Sequence, residues 1–371
     1  MSVAAGVFWS SLALVAWAYA GYPALAALRA RRRGRPPVVG NACPPLTVVI
    51  AARDEAGGIQ ARLHDLFAQD YPAGLLRVVV ASDGSRDDTV ARAAAVDPRV
   101  RVLDLCEPRG KASALNAAMA VVDTGVAVMA DARQRFAPGT LRALVAPFAD
   151  PGVAVVGGQL VLGDAGAVGL YWRLETRLRQ DEARLGWLHG VTGAVYAVRR
   201  DRFVPIPEGT ILDDMWVPLQ ALFRGGRVWM APGAVAYDRA ADGSGAEFSR
   251  KLRTLAGNWQ LLARMPRLAL PGANPVFLAW ASHKLARLLV PWALLAALVA
   301  SAAAPGWPYR VALVAQLAGY LAAALALWRP RLAARVPLLP ACATFVMLNA
   351  AALLSLPASL AWSPAQLWRR G

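Results

Sequence analysis

Leu46-Thr47-Val48-Val49-Ile50-Ala51, followed three residues later by Asp54, is the stretch on which the reading of the chain turns. A short, unbroken apolar run rich in β-branched residues suits a strand covered on both faces, as in the middle of a parallel sheet. Similar runs return at Arg77 to Ala81, Val100 to Leu105 and Val126 to Ala130. Helical patterns fill the intervals around 59–69, 87–96, 111–122 and 139–149. This alternation predicts βαβ units and a mostly parallel, Rossmann-like α/β sheet.

In such sheets ligands bind beyond the carboxyl ends of the strands. Three acids stand there: Asp54 after the first run, Asp83 after the second and Asp131 directly after the fourth. A single Asp at such a place is also a common turn former or helix cap. Several in one sheet suit a divalent cation, and Mg²⁺ characteristically takes one or two carboxylates plus substrate phosphates. Arg109-Gly110-Lys111 opens a helix pattern, where backbone N–H groups favour an anion such as a diphosphate. It is not a Walker A loop, because Leu105 stands where that loop needs glycine.

Further along, Leu212-Asp213-Asp214 begins a helix whose apolar members Trp216, Val217, Leu219, Leu222 and Phe223 face a core. The paired acids either complement the helix dipole or supply a general base. Arg250-Lys251-Leu252-Arg253 leads into an amphipathic stretch, 246–267, with Leu255, Trp259 and Leu262. That pattern suits a helix lying on the membrane surface.

Composition separates this domain from its flanks. The 371 residues carry 40 Lys+Arg against 24 Asp+Glu, a net charge of +16, yet only 17% are charged and 57% are hydrophobic. Residues 1–28, 288–309, 311–328 and 336–368 hold no Asp, Glu, Lys or Arg. A bilayer core needs roughly 20 apolar helical residues, so spans are expected at Val7 to Leu28 and near 285–304, 309–328 and 338–361. A cleaved signal peptide does not fit, because the positive charge follows the apolar stretch instead of preceding it. Arg29, Arg31, Arg32, Arg33 and Arg35 mark the cytoplasmic side. The middle domain is therefore expected in the cytoplasm, at the inner face of the plasma membrane. Four spans place the C-terminus outside, although Arg369 and Arg370 then fall on the wrong side.

These features exclude a soluble secreted protein, a disulfide scaffold and a disordered tail. Cys43, Cys106 and Cys342 are scattered, with no zinc spacing, and His64, His189 and His283 read as isolated. No nucleic-acid motif accompanies the positive charge, so no nucleic-acid partner is expected; attraction to an anionic inner leaflet explains it. The expected organisation is an N-terminal span (1–28), a basic linker (29–45), a catalytic domain (46–245), amphipathic interfacial helices (246–284) and three C-terminal spans (285–371).

In order along the chain, the motifs resemble those of membrane-embedded family 2 glycosyltransferases, the group containing cellulose, chitin, hyaluronan and poly-N-acetylglucosamine synthases. They are Val48 to Glu55, Ser82 to Thr89, Arg109 to Asn116, Met129 to Gln134, Gly193 to Arg200, Leu212 to Asp214, Arg250 to Thr254 and Ser282 to Arg287. The resemblance implies a cytoplasmic GT-A fold that transfers a sugar from a nucleoside-diphosphate donor, usually of uridine, with inversion at the anomeric carbon. Asp83 matches the nucleotide-binding Asp, Asp131 the metal-binding acid for Mg²⁺ or Mn²⁺, and Asp214 the catalytic base. Lys111 matches a basic residue of the donor region and Arg253 the Arg of Gln-x-x-Arg-Trp. Asp54 is placed with the donor-binding set, and Asp213, Arg133, Arg250 and Trp259 as acceptor-side or secondary residues.

Two departures stand out. The usual Asp-x-Asp reads Asp131-Ala132-Arg133, and Arg250-Lys251-Leu252-Arg253-Thr254 lacks the Gln and the Trp of its motif. The expected partners are a nucleotide sugar, a glycan or lipid-linked acceptor, and membrane lipids. The favoured activity is transfer of one or a few sugars, with N-acetylglucosamine as a candidate donor sugar. A processive polysaccharide synthase with coupled export is the rival enzyme, and a non-catalytic scaffold or nucleotide-sugar sensor the rival of another class.

Overall fold

A computed structural model describes residues 2–163, 166–238, 244–333, 335, 336, 338–363, 366 and 367. The Arg369 and Arg370 pair lies outside them.

Its centre is one eight-stranded sheet: β1 (Leu46–Ala52), β2 (Leu76–Ser82), β3 (Val100–Asp104), β4 (Val126–Ala130), β5 (Arg135–Phe136), β6 (Val153–Leu162), β7 (Val195–Arg199) and β8 (Arg227–Asp238). The spatial order is β3-β2-β1-β4-β7-β6-β8-β5. Strands β3, β2, β1 and β4 are parallel, joined by crossovers through helices Ile59–Phe67, Thr89–Ala94 and Lys111–Ala120. Successive side chains point to opposite faces, and both faces are covered. Val49, Val79 and Met129 pack under helices Lys111–Ala120 and Asp213–Phe223, while Val48, Ile50, Val80 and Val128 pack under Ile59–Phe67. This double coverage is why the runs read as continuous apolar stretches.

The second half of the sheet departs from the parallel pattern. Strand β7 runs antiparallel to β4 and β6, and β5 antiparallel to β8, while β6 and β8 are parallel.

Among the described residues four helices are long and apolar enough to cross a membrane: Val3–Arg33, Phe277–Ala303, Trp307–Trp328 and Leu338–Ala361. The first continues through the arginines, which favour the C-terminal end of a helix dipole. Phe8 meets Ala297 and Ala300, so small residues let the first and second of these helices approach closely.

Helix Ser244–Arg264 is amphipathic, and much of its apolar face is covered by protein. Leu252, Ala256 and Leu261 are buried in the core that also holds Val217 and Leu219. Its other flank packs on Leu338–Ala361, with Trp259 Nε1 donating to Ser355 Oγ at 3.0 Å. A protein core offers the apolar face more contact than an interface does, and a 3.6-residue period cannot distinguish the two.

Candidate active site

The carboxyl ends of β1, β2 and β4 place the expected acids along one crest of the sheet. Asp54 turns with a positive φ of 53°, a conformation that Asp tolerates better than most residues. Its Oδ1 accepts the Arg86 N–H at 2.8 Å and thereby fastens the β2 turn.

Asp83 is only 5% exposed. It accepts the N–H of Arg109 at 2.7 Å and that of Gly110 at 3.0 and 2.9 Å on its two oxygens. The sequence suggested that these amides would receive a diphosphate; in this structure Asp83 takes them. The same helix start that favours a phosphate favours a carboxylate. Gly110 supports this approach with a φ of 92°.

Lys111, the next residue, occupies the middle of the site. Its Nζ donates to Asp131 Oδ1 at 3.0 Å and lies 3.5 Å from Asp213 Oδ2. A Cβ built on Gly193 would stand 3.4 Å from that Nζ and 3.6 Å from the Asp214 Cβ, so a glycine lets Lys111 and Asp214 face each other across the β7 loop. The Gly193 N–H donates to Asp214 Oδ2 at 3.2 Å. Asp131, Asp213 and Asp214 therefore surround one ammonium group, and Asp83 is one residue away through Gly110.

The electrostatics follow from this crowding. Burial acts to neutralise Lys111, but the three carboxylates outweigh it and its pKa is raised, so it stays charged. Burial is also the largest influence on Asp214, followed by the like charge of Asp213; against Lys111, Arg179 and the Gly193 N–H they raise it to about 6. Asp213 is raised too, by burial first and then by Asp131, despite Lys111. One cation cannot satisfy three acids, and the acid with the higher proton affinity is suited to accept a proton near neutral pH.

The remaining expected residues divide. Arg253 lies within electrostatic reach of Asp131, with Arg250 beside it on the same helix. Arg133 is 78% exposed and bonds Glu55 at 2.9 Å. Trp259 is directed to Ser355.

Sequence reasoning missed several members. Arg62 is buried, donates to the Asp131 backbone oxygen at 3.2 Å and pairs with Asp65 at 2.6 Å, fixing the loop that carries the carboxylate. Tyr196 sits within the quoted 193–200 motif; its hydroxyl is buried near Asp213, Asp214 and Asp131, with no hydrogen-bond partner among the described residues.

The histidines were read as isolated, and two are not. The His189 and His283 rings lie edge to face at 5.5 Å. His283 bonds Glu182 and Glu175, each at 2.8 Å; Tyr22 donates to Glu182 at 2.7 Å and Arg287 to Glu175 at 2.8 Å. This polar cluster joins the first two membrane helices to helix Gly166–Leu185.

Comparison with known proteins agrees with this architecture. The family described as Glycosyl transferase family 2 matches residues 47–203. An N-acetylglucosaminyltransferase of Rhizobium meliloti (strain 1021) is 31% identical over 176 residues, 44% of this chain and 41% of that protein, so the match spans about two fifths of the relative's length. The structure of mannosyltransferase PcManGT from Pyrobaculum calidifontis, in complex with GDP-Man and Mn²⁺, superposes with a TM-score of 0.73 at 28% identity, over 96% of this chain and 99% of that one. With the crest of acids, the GT-A sheet and these matches in agreement, residues 47–203 are similar to glycosyl transferase family 2, in a chain whose described residues include four helices able to span a membrane.

Proposed function

We propose that the enzyme moves a sugar, with inversion, from a nucleoside-diphosphate donor to a glycan or lipid-linked acceptor at the inner face of the plasma membrane. The observation that carries this reading is the acid cluster around Lys111, in which Asp214, its pKa raised to about 6, faces the ammonium group beside Gly193. In the transfer, the acceptor hydroxyl gives its proton to Asp214 as its oxygen forms a bond to the anomeric carbon. The bond from that carbon to the diphosphate breaks on the opposite side, and the nucleoside diphosphate leaves with the electron pair. Asp83 shapes the nucleotide end by holding the Arg109–Gly110 turn, with Asp54 fastening the neighbouring loop. Arg253 lies where its charge opposes that of the leaving diphosphate.

The residues present fit a divalent cation held in part by the substrate. Asp131 gives one oxygen to Lys111 and has no protein partner for the other among the described residues, and its side chain is 36% exposed. No group of three His, Cys, Asp or Glu able to hold a metal occurs among the described residues. A lone carboxylate completed by diphosphate oxygens is a Mg²⁺-like arrangement, and Mn²⁺ can take it too. Bound there, the ion would supply positive charge to the leaving diphosphate. Arg133, in the place of a second carboxylate, adds charge of the same sign.

The clustered arginines at the end of the first span support the cytoplasmic placement. Four spans are few for an export channel within one chain, which favours transfer of one or a few sugars over processive synthesis. The N-acetylglucosaminyltransferase of Rhizobium supports N-acetylglucosamine as the donor sugar; the GDP-Man bound by the Pyrobaculum mannosyltransferase is the competing donor. Membranes containing the protein, incubated with labelled UDP-N-acetylglucosamine, UDP-glucose and GDP-mannose, should yield a product one or a few sugars heavier than its acceptor. Chains of many units would support the polymerase, and nucleotide binding without any transfer would support the sensor.

A further inference from the structure

Asp213 and Asp214 open helix Asp213–Phe223, so their place depends on the segment that leads into that helix. From Phe203 to Leu212 the chain is neither helix nor strand. Within it, Thr210 turns back on Pro207, its N–H donating to the Pro207 carbonyl at 3.1 Å and its hydroxyl to the same oxygen at 2.6 Å. Gly209 takes a φ of 70° to close this turn. A turn bonded only to itself has a shape but no fixed direction, and the direction must come from a neighbouring element.

Helix Ser244–Arg264 supplies it. Gln260 grips the turn with both atoms of its amide: Oε1 accepts the Ile211 N–H at 2.9 Å, and Nε2 donates to the Gly209 carbonyl at 2.8 Å. One helical turn further on, Arg264 donates to Thr210 Oγ1 at 2.6 Å and to the Glu208 carbonyl at 2.9 Å. One turn earlier, Gly257 lets the two segments close up, because a Cβ there would stand 2.7 Å from Leu212 Cγ and 3.0 Å from Ile211 Cγ2. Spacings of three and four residues put 257, 260 and 264 on one face. That face therefore holds every residue from Glu208 to Leu212. On the far side of the acids, the Asp214 carbonyl accepts the Val191 N–H at 2.9 Å, so Asp214 stands between two anchors.

We propose that Gln260, assisted by Arg264, is a positioning residue for the transfer step: by fixing Gly209 to Ile211 it sets where the Asp214 carboxylate meets the acceptor hydroxyl. This rests on the transferase reading above and on Asp214 as its base. The sensitivity is large, since a misplacement of about 1 Å in a reacting group can cost about 10²-fold.

Single-turnover transfer at saturating donor and acceptor is measured for the unaltered chain, Gln260→Met, Asp214→Asn and the double variant, with UDP affinity and thermal melting on the same samples. Methionine keeps the length of the side chain and removes both bonds. Gln260→Met should slow transfer about tenfold, with UDP affinity within about twofold of the unaltered chain. A residue that acts through Asp214 has nothing left to act on in Asp214→Asn, so there the same substitution should change the rate by less than about threefold. Equal slowing in both backgrounds is what a purely structural role gives, and it overturns the proposal; so does an undiminished rate in Gln260→Met. If Gln260→Met no longer binds UDP, Arg264→Met carries the same cycle, its side chain being exposed. A loss of about threefold, the worth of roughly one hydrogen bond, that disappears with Asp214→Asn is then expected, and no loss or a persistent one overturns the proposal. An unaltered chain that binds UDP and transfers nothing, or Asp214→Asn at full rate, overturns the reading of the site and the proposal with it. Slow Asp214→Asn with equal slowing by Gln260→Met overturns the proposal alone.

Discussion

Replacing Lys111 by Met removes the only ammonium among Asp131, Asp213 and Asp214 while keeping most of the side chain's volume. Breaking a buried ion pair from one side costs about 3–5 kcal/mol, because the remaining charges lose their compensation. Asp131 is 36% exposed, so water screens part of this, and the lower end, about 3 kcal/mol, is expected at pH 8. The penalty has a definite pH dependence. Lys111 holds down the pKa of Asp213 and Asp214, so its loss raises both further above their unfolded values. A native state that binds more protons than the unfolded one loses stability as pH rises and regains it as pH falls. The deficit should therefore be largest at pH 8 and shrink as the pH falls toward 6, where Asp214 of the variant, its pKa raised further by the loss of Lys111, is already protonated. Thermal unfolding in detergent between pH 5 and 8 reads this directly, and Asp213→Asn in the Lys111→Met background should recover part of the loss at pH 8. A deficit equal at pH 5 and pH 8, or no recovery in the double variant, would refute the shared-charge description of the site.

Three further outcomes follow from the geometry. The pH dependence of kcat/KM should show an acid limb near pH 6, falling about tenfold per pH unit below it as Asp214 protonates; activity unchanged down to pH 5 would remove Asp214 as the base. Trp259→Phe breaks the indole bond to Ser355 and should cost about 1 kcal/mol of thermal stability with acceptor KM unchanged; a raised acceptor KM at unaltered stability would return Trp259 to the acceptor site. Tyr22→Phe removes a donor to the buried Glu182 and should lower stability by about 1.5–3 kcal/mol, measured by thermal melting.

The parallel half of the sheet was legible because its strands are covered on both faces, leaving apolar runs whose ends lie within a residue or so of β1, β2, β3 and β4. The antiparallel half was not. Strand β6 contains Gly157 and Gly158, both pressed against neighbouring residues, and strand order there depends on pairings between distant segments. At the site, residue types at strand ends pointed to Asp131, and the paired acids opening a helix to Asp214, but spacing alone could not show that Asp83 would satisfy backbone amides or that Lys111 would turn toward the acids. The His283 network was invisible for a similar reason: its partners Glu182 and Glu175 lie 101 and 108 residues away in the chain. Amphipathicity likewise indicated that helix Ser244–Arg264 buries a face, without indicating what covers it.

The most direct test of the account is single-turnover sugar transfer by the unaltered enzyme and by Asp214→Asn, with nucleotide binding measured on the same samples. Loss of the general base should slow transfer by about 10²–10⁴-fold while nucleotide affinity stays within about twofold, and the product of the unaltered enzyme should have inverted anomeric configuration. Transfer at an undiminished rate in Asp214→Asn, or a product with retained configuration, would contradict it.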